Sequence, residues 1–393
     1  MRRQHVVDEG NNNIMKKLLY LLVCVLALAM ASCTPDPVPD DPNNDDPTTD
    51  TIEPTDTIEP VYALPHGVFV INEGTFTYAN SSLTFYDPEA DTVANNMFYR
   101  ANGAPIGDVG ESLTLIDGKL YIVVNNSNYI YKVDANTIYC DLTQPFILTD
   151  FVSPRYMLPL APSKAYVSDL ANTALWIVNP QDMTHTGTID MGKSTETMVL
   201  VGQEVYVANW SKYYVEGMEN NTVQVIDANT DTKEADITVG KEPNCMVVDK
   251  NGMVWVLCEG GMYDYPDPGL PELWKINPAT KQATMIKQFT ETALNLAIDT
   301  EGTHLYYVRG GDWVSSGDLH RVSIDNPTVE EDFVIPADGK MFYKVFVNPN
   351  NGDIYISDSK NYTTNGTVYR YSSDGVLLGS FDAGICPGYM LFN

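Results

Sequence analysis

A short hydrophobic phrase that recurs along this 393-residue chain limits the folds open to it. Every copy carries an aromatic residue at its second position among aliphatic neighbours, and successive copies begin 40 to 52 residues apart. The seven copies begin at Val68, Leu120, Ala165, Val205, Val254, Leu305 and Ile354. A period of roughly 40–50 residues in an all-β pattern is typical of a β-propeller with about four strands per blade. The repeat therefore predicts an all-β, seven-bladed β-propeller of four-stranded antiparallel blades.

The fourth repeat shows the strands of one blade. Strand-like segments at 197–201, 205–209, 223–227 and 235–239 are separated by turns rich in Gly, Asn and Asp, as expected of short strands between reverse turns. The third segment ends in Asp227, and the third segments of the other repeats also end in Asp, Asn or Ser. Such side chains accept hydrogen bonds from the backbone that follows, so we expect each to open the next turn.

The first repeat has no innermost strand of its own. Residues 385–393 carry the missing pattern at the end of the chain. We therefore expect this C-terminal strand to pair beside residues 68–72 and complete the first blade. Closing the ring in this way covers two sheet edges that would otherwise be exposed to solvent.

The first 32 residues have the features of a secretory signal peptide whose true start is Met15. Lys16 and Lys17 precede an apolar run that is too short to cross a bilayer. The small residues before Cys33 resemble a bacterial lipobox, which implies cleavage before Cys33 and lipidation of that residue. Simple secretion with an unmodified Cys33 is the alternative.

Residues 33–62 form an acidic segment rich in Pro, Asp and Thr, without Lys or Arg. This composition predicts an extended, self-repelling tether, and the propeller domain is expected over 63–393. Acidic residues after a lipidated cysteine resemble the export signal of Bacteroidetes lipoproteins, which implies an outer-membrane protein facing the cell exterior. The formal net charge of −29 makes nucleic acid a poor partner. Contact with the membrane is expected through the lipid anchor alone.

The loops between second and third strands are the candidate binding region. Strand alternation puts them on the same face as the connections between blades, and they are long in five of the seven repeats. Insertions gathered on one face of a repeat protein indicate its binding side. The aromatic candidates for ligand contact are Phe76, Tyr78, Trp210, Tyr214, Tyr263, Tyr265, Trp313 and Tyr362, and the polar candidates at strand ends are Asn125, Arg155, Asn209, Arg309 and Asp358. The alternative is that several aromatic residues only pack their own loops.

Residue patterns for catalysis are sparse. We find no nucleophile-elbow, zinc-protease or phosphate-loop motif, and the histidines after the signal are scattered. We therefore expect no enzyme activity, no metal site and no cofactor. Cys245 and Cys258 flank one predicted hairpin: a two-residue turn would place them opposite each other as a possible disulfide, whereas a three-residue loop would shift the register and separate them.

The recurring phrases and third segments such as 223–227 resemble the YncE/YVTN-type seven-bladed propellers over residues 63–393. Together with the lipobox and the acidic tether, they make the chain most similar to the cobalamin-binding BtuG family of Bacteroidetes surface lipoproteins. The resemblance implies capture of cobalamin or another corrinoid and its transfer to a TonB-dependent, BtuB-like outer-membrane transporter. A surface propeller that binds glycan or protein without catalysis is the alternative. A propeller lyase or lactonase would need a carboxylate and histidine cluster at the channel, which the sequence does not indicate.

Overall fold

The computed structural model describes residues 66–143, 151–210, 220–261, 269–311 and 315–393. These residues lie in the compact unit Ile58–Asn393 and contain twenty-seven strands and one short helix. No helix within these ranges combines the length and the apolar character that crossing a bilayer requires. The predicted signal peptide, Cys33 and the acidic tether lie outside the described residues.

The strands follow the chain as antiparallel hairpins. In the first four blades they are β1 (Val68–Asn72), β2 (Ser82–Asp87), β3 (Thr92–Ala94), β4 (Gly110–Ile116), β5 (Lys119–Val124), β6 (Tyr129–Asp134), β7 (Pro154–Ala161), β8 (Lys164–Asp169), β9 (Ala174–Asn179), β10 (Thr184–Asp190), β11 (Met198–Val201), β12 (Glu204–Ala208), β13 (Thr222–Asp227) and β14 (Thr232–Thr238). In the last three blades they are β15 (Pro243–Val248), β16 (Val254–Cys258), β17 (Glu272–Asn277), β18 (Gln282–Gln288), β19 (Ala293–Ile298), β20 (His304–Gly311), β21 (Ser316–Ser323), β22 (Glu330–Ile335), β23 (Phe342–Val347), β24 (Ile354–Asp358), β25 (Asn365–Tyr371), β26 (Leu377–Ile385) and β27 (Pro387–Phe392). Helix α1 (Met97–Asn102) follows β3.

The strands form seven sheets, which are the blades of a seven-bladed β-propeller, so the predicted fold class is confirmed. Six sheets have four strands, and the sheet of β4, β5 and β6 has three within the described part of the chain. Each innermost strand contacts the innermost strands of the two adjacent blades, in the closed order β27, β4, β7, β11, β15, β19, β23. These strands surround a central cavity of about 360 Å³.

The C-terminal strand closes the ring as predicted. In the sheet of the first blade β27 lies beside β1, with Met390 opposite Val70. The backbone nitrogen of Asn393 donates to the carbonyl oxygen of Gly67 over 2.9 Å, which fixes the end of the chain. Met390 is buried in a cluster that also contains Tyr355 of the seventh blade. The last strand therefore joins the first and seventh blades.

The aromatic residue of each repeated phrase is a core residue. All seven are almost completely buried: Phe69, Tyr121, Tyr166, Tyr206, Trp255, Tyr306 and Tyr355. They pack between blades, and some also bond across the gap: the Tyr121 hydroxyl donates to the Pro180 carbonyl oxygen over 2.8 Å. A large side chain of this kind contributes much apolar area and still places its polar tip at a partner. The repeat is thus explained by packing between blades.

Side chains also connect neighbouring innermost strands. The hydroxyl of Ser112 donates to the carbonyl oxygen of Arg155 over 2.6 Å, and the Asn295 amide donates to the carbonyl oxygen of Tyr343 over 2.8 Å. Each bond joins one blade to the next at the same level of the central channel. Small polar residues in these strands therefore hold the ring together around its axis.

The possible disulfide between Cys245 and Cys258 is not formed, and both thiols are free. The turn between β15 and β16 spans residues 249–253, and a bulge shifts the register near the start of β15. As a result Cys245 lies opposite Leu257, while Cys258 lies opposite Pro243. Because side chains alternate between the faces of a sheet, a shift of one residue separates the two cysteines.

Candidate functional site

One face of the propeller carries both the loops after second strands and the starts of the innermost strands. We call it the loop face. The strands around the central cavity begin at this face, and we call the cluster of side chains at their starts the channel mouth, formed by Glu73, Glu111, Arg155, Glu196, Glu259, Tyr343 and Lys344. Glu73 and Glu259 directly follow the second strands β1 and β16. The other five lie at the first residues of innermost strands or just before them.

Arg155 bridges carboxylates from the blades on either side of its own. Its Nη1 atom lies 2.5 Å from Oε2 of Glu111, and its Nε and Nη2 atoms lie 2.9 and 2.8 Å from the oxygens of Glu196. The side chains of Arg155, Glu111 and Glu196 are only 13%, 5% and 0% exposed. A planar guanidinium suits this bidentate geometry, and charge-assisted bonds of this type are among the stronger ones in proteins.

The remaining mouth residues are held by aromatic donors. The Tyr343 hydroxyl donates to Glu73, with 2.8 Å to each carboxylate oxygen. The indole nitrogen of Trp210 donates to Oε2 of Glu259 over 3.2 Å. The Lys344 ammonium lies 5.3 Å from the centre of the Tyr343 ring, within cation–π range. Carboxyl groups, cations and aromatic side chains thus contact one another at the mouth.

Burial changes the protonation of these carboxyl groups. Loss of hydration raises the pKa of Glu111 and of Glu259 to about 7 in each case, although Arg155 and Lys344 oppose the rise. Burial also raises the pKa of Glu73. Desolvation disfavours the charged form of a carboxyl group, which is the physical cause of all three shifts. The pKa values of Glu111 and Glu259 therefore lie closer to neutral pH than those of exposed carboxyl groups.

Aromatic residues line the channel below the mouth. Tyr156 and Tyr389 lie with their ring centres 6.2 Å apart, and Phe346 contacts Tyr389 edge-on at 5.1 Å. All three line the central cavity, together with aliphatic side chains and Met157, Met198 and Met246. The channel therefore has charged side chains at its mouth, and inside it aromatic and aliphatic side chains together with small polar ones such as Ser112 and Thr197.

The structure brings three of the predicted contact residues to the mouth region. Arg155 is at its centre, the Trp210 ring lies 5.8 Å from the Arg155 guanidinium, and Tyr362 packs edge-on against Tyr343 at 5.8 Å. Phe76 and Tyr78 lie on the same face in the loop after β1, with 55% and 72% of their surfaces exposed. These five residues all lie on the loop face.

Three other predicted contacts are engaged in holding the loops. The Asn125 amide donates to the Pro154 carbonyl oxygen over 3.0 Å, and the Asn209 amide to that of Ser194 over 2.9 Å. The Asp358 carboxylate accepts the backbone nitrogens of Met341 and Lys360 at 2.9 Å each. All three are buried. Their polar atoms shape the connections between blades.

Arg309 also lies apart from the channel mouth. Its guanidinium forms ion pairs with Glu291, at 3.4 Å, and with Glu330 of the outer strand β22, at 3.3 Å. These partners place it toward the outer part of the sixth blade. The predicted contacts Tyr214, Tyr263, Tyr265 and Trp313 lie outside the described residues.

Sequence reasoning missed most of the mouth, although the repeat contains a signal for it. The strand registers put Glu111, Arg155, Glu196 and Tyr343 at one equivalent position of the innermost strands, where Leu294 stands in the sixth blade. Charged side chains at a position that faces a narrow channel depart from the hydrophobic pattern. Superposing the seven repeats would have revealed them. Within the described ranges, no group of three or more His, Cys, Asp or Glu side chains is arranged to hold a metal ion.

Comparison with solved structures places the fold among known propellers. A quinonprotein alcohol dehydrogenase-like protein from Bacteroides thetaiotaomicron is 16% identical, with a TM-score of 0.61 over 83% of this chain and 78% of that one. The periplasmic gluconolactonase of Pseudomonas aeruginosa is 11% identical, with a TM-score of 0.60 over 83% of this chain and 99% of that one. A protein from Lactobacillus plantarum is 14% identical, with a TM-score of 0.59 over 84% of this chain and 100% of that one. At such identities the likeness shows the fold alone.

Sequence comparison identifies the family. No curated protein matches the chain at a significant level. The sequence profile described as "Domain of unknown function (DUF5074)" matches residues 66–381, which is most of the propeller. The protein therefore belongs to the DUF5074 family.

Proposed function

We propose that this protein is a cell-surface lipoprotein that captures cobalamin or another corrinoid on its loop face, without catalysis, and passes it to a TonB-dependent outer-membrane transporter. The observation that carries the proposal is the channel mouth, where buried hydrogen-bonding groups and aromatic rings meet at the centre of the loop face. A corrinoid has broad apolar faces fringed by amides, so it needs both kinds of contact. Binding sites for such ligands combine apolar walls with a few fixed polar groups.

The exposed aromatic residues extend this site outward. Phe76 and Tyr78 stand at the rim, and Trp210 and Tyr362 lie between the rim and the mouth. Rings of this kind offer large contact area at a small cost in rotamer entropy. A ligand wider than the channel would rest on them while part of it reached the mouth.

The expected anchor fits delivery to a transporter in the same membrane. Residues 33–62 span at most ~100 Å when fully extended, and their acidic residues repel one another. A propeller on such a tether can reach a neighbouring membrane protein and keep its loop face free. Lipidation of Cys33, the outer-membrane location and the transporter remain predictions.

Size-exclusion chromatography with cyanocobalamin tests the proposal. We expect a form that begins at Thr34, without the signal and Cys33, to carry the red ligand into the protein peak. Tyr78→Ala should weaken binding. Tyr139→Ala should leave it unchanged, because that exposed tyrosine follows the third strand β6 on the opposite face. Elution of all the ligand at its free volume would reject the proposal.

A glycan- or protein-binding propeller is the second candidate, favoured by the exposure of Phe76 and Tyr78 at the rim. Aromatic rings that project from a loop can stack on sugar faces or anchor a protein interface. Calorimetry with cyanocobalamin and with surface oligosaccharides separates the two. Heat of binding with an oligosaccharide and none with the corrinoid would favour this second function.

A further inference from the structure

Some polar groups at the channel form no hydrogen bond within the part of the chain that the structure describes. Arg155 and Glu73 have their partners, as described above. In contrast, no hydrogen bond engages the ammonium of Lys344 or the phenol oxygens of Tyr156 and Tyr389 in the part of the chain that the structure describes. All three side chains are half-buried, so they reach the solvent of the channel. Three donors that reach the same part of the channel can bond to a molecule that enters it.

These three groups lie at one level of the channel. Val345, Met157 and Met390 each pair with the middle residue of a repeated phrase. The residues directly before them in their strands are Lys344, Tyr156 and Tyr389. They therefore occupy equivalent positions in the seventh, third and first blades. Because the ring places equivalent positions around one axis, the three donors converge on the space just below the mouth.

The size of the cavity limits what enters it. The central cavity of about 360 Å³, lined in part by Tyr156 and Tyr389, is near the lower end of small-molecule sites. A corrin ring with its side chains is too large for it. Only a substituent of a ligand resting on the loop face can reach these donors.

Charge selects the kind of substituent. A carboxylate would approach Glu73, Glu111, Glu196 and Glu259, while an ammonium group has no acceptor for the hydrogen bonds that Lys344, Tyr156 and Tyr389 can donate. A primary carboxamide is uncharged and offers both an acceptor oxygen and two N–H donors. It can satisfy the unpaired donors and a carboxyl oxygen together.

We propose that the channel mouth and the space just below it form a carboxamide subsite for one amide side chain of the bound corrinoid. Lys344, Tyr156 and Tyr389 donate to its carbonyl oxygen, and Glu259 accepts from its NH₂ group. Glu259 suits this role because it lies close enough to interact electrostatically with Lys344, and Trp210 occupies only its Oε2 atom. The inference rests on the proposed function, and it adds the ligand group that the mouth recognises.

The test compares cyanocobalamin with its monocarboxylic acids, in each of which one peripheral amide is replaced by a carboxylate. We expect one of these acids to bind the wild-type protein at least tenfold more weakly than cyanocobalamin, and the others to bind like it. Lys344→Met and Tyr389→Phe should each weaken cyanocobalamin binding by a similar factor. Glu259→Gln should restore binding of the discriminated acid, because the variant removes a negative charge. Dissociation constants come from calorimetry.

Matched variants on the opposite face are the controls. Lys119 begins β5 and Glu301 lies in the turn between β19 and β20, so both are on the opposite face. Lys119→Met and Glu301→Gln should bind as the wild type does. Tyr389→Phe removes a single oxygen, so it reports on the subsite even if Lys344→Met fails to fold. Equal affinity for cyanocobalamin and all the acids, with no effect of the variants, would overturn the subsite alone. Absence of cyanocobalamin binding by the wild type would overturn the proposed function and the subsite with it.

Discussion

At the residue scale, burial gives the mouth carboxyl groups a pH dependence that ordinary surface residues lack. Glu259 has a pKa of about 7 in the folded protein, against an ordinary value of 4.5. Between these two values the folded state holds a proton that the unfolded state has lost. Stability linked to this group is therefore fully present below pH 4.5 and is lost as the pH rises to about 7. The raised pKa of Glu111 makes stability fall with rising pH in the same way.

We predict that Glu259→Gln removes the pH dependence of stability that comes from this carboxyl group. Relative to the variant, the free energy of unfolding of the wild type should fall between pH 4.5 and 7, by at most ~1.4 kcal/mol per pH unit. Urea denaturation of both proteins at pH 5, 6, 7 and 8 measures this difference in the free energy of unfolding. Glu301→Gln, at an exposed turn, should give a curve parallel to the wild type. If Glu259→Gln also ran parallel, the group would not be buried as the structure has it.

Individual residues also show which features of the site cannot be predicted from the sequence. Arg155 could be predicted as a mouth residue because it is a charged residue at the start of a strand. Its partners could not, because Glu111 and Glu196 are 44 and 41 residues away along the chain and meet it only through the packing of neighbouring blades around the axis. Asn125 and Asn209 were expected to contact ligand but brace loops. A polar residue at a strand end can do either, and only the surrounding backbone decides.

At the element scale, most of the fold could be predicted from turn and strand patterns. The polar ends of the third strands open the following turns as expected: the Asp227 carboxylate accepts the backbone nitrogen of Asn229 over 2.7 Å, and Asp87 accepts that of Glu89 over 2.9 Å. The register of β15 and β16 was not predictable, since it depends on a bulge of one residue. Local hydrogen-bonding chemistry is visible in a sequence, whereas a register shift depends on the whole hairpin.

The last strand gives the sharpest test of an element. We predict that deleting residues 387–393 lowers the melting temperature by at least about 10 °C and causes aggregation. The deletion exposes the edge of β1 and removes the buried Met390, and a fully buried side chain of this size contributes about 1.5–3 kcal/mol. Thermal denaturation followed by circular dichroism measures the change.

A synthetic peptide of residues 385–393 provides the control for this deletion. Added to the shortened protein, it should pair with β1 and recover much of the lost stability. The same peptide with Met390→Asp should not, because it would bury a charge between the first and seventh blades. An unchanged melting temperature after deletion would contradict a structural role for β27.

At the scale of the whole molecule, the repeat predicts the ring, and the departures from the repeat locate the site. Packing between blades uses an aromatic residue at the same position of all seven repeats, so the recurring residues determine the fold. The mouth residues recur in position but differ in chemistry, from Glu111 to Arg155 to Tyr343. Function in such a scaffold lies in these differences, which a single averaged repeat conceals.

The free cysteines allow a test of ligand position in the intact propeller. Cys140, Cys258 and Cys386 are buried, whereas Cys245 is half-buried at the same channel level as Lys344. Burial raises the pKa of Cys245 to about 11, so its thiolate is scarce at neutral pH. We predict that one thiol of the native form beginning at Thr34 reacts slowly with a small maleimide, and faster as the pH rises. Four thiols should react after denaturation.

Bound ligand should protect Cys245 from this reaction. A group seated below the mouth covers the thiol, so saturating cyanocobalamin should slow labelling of the native protein, and Cys245→Ser should abolish native labelling altogether. Mass spectrometry of the labelled peptides identifies the site. An unchanged rate with cyanocobalamin bound would place the ligand elsewhere on the propeller, because a ligand over the channel cannot leave this thiol as accessible as it is in the free protein.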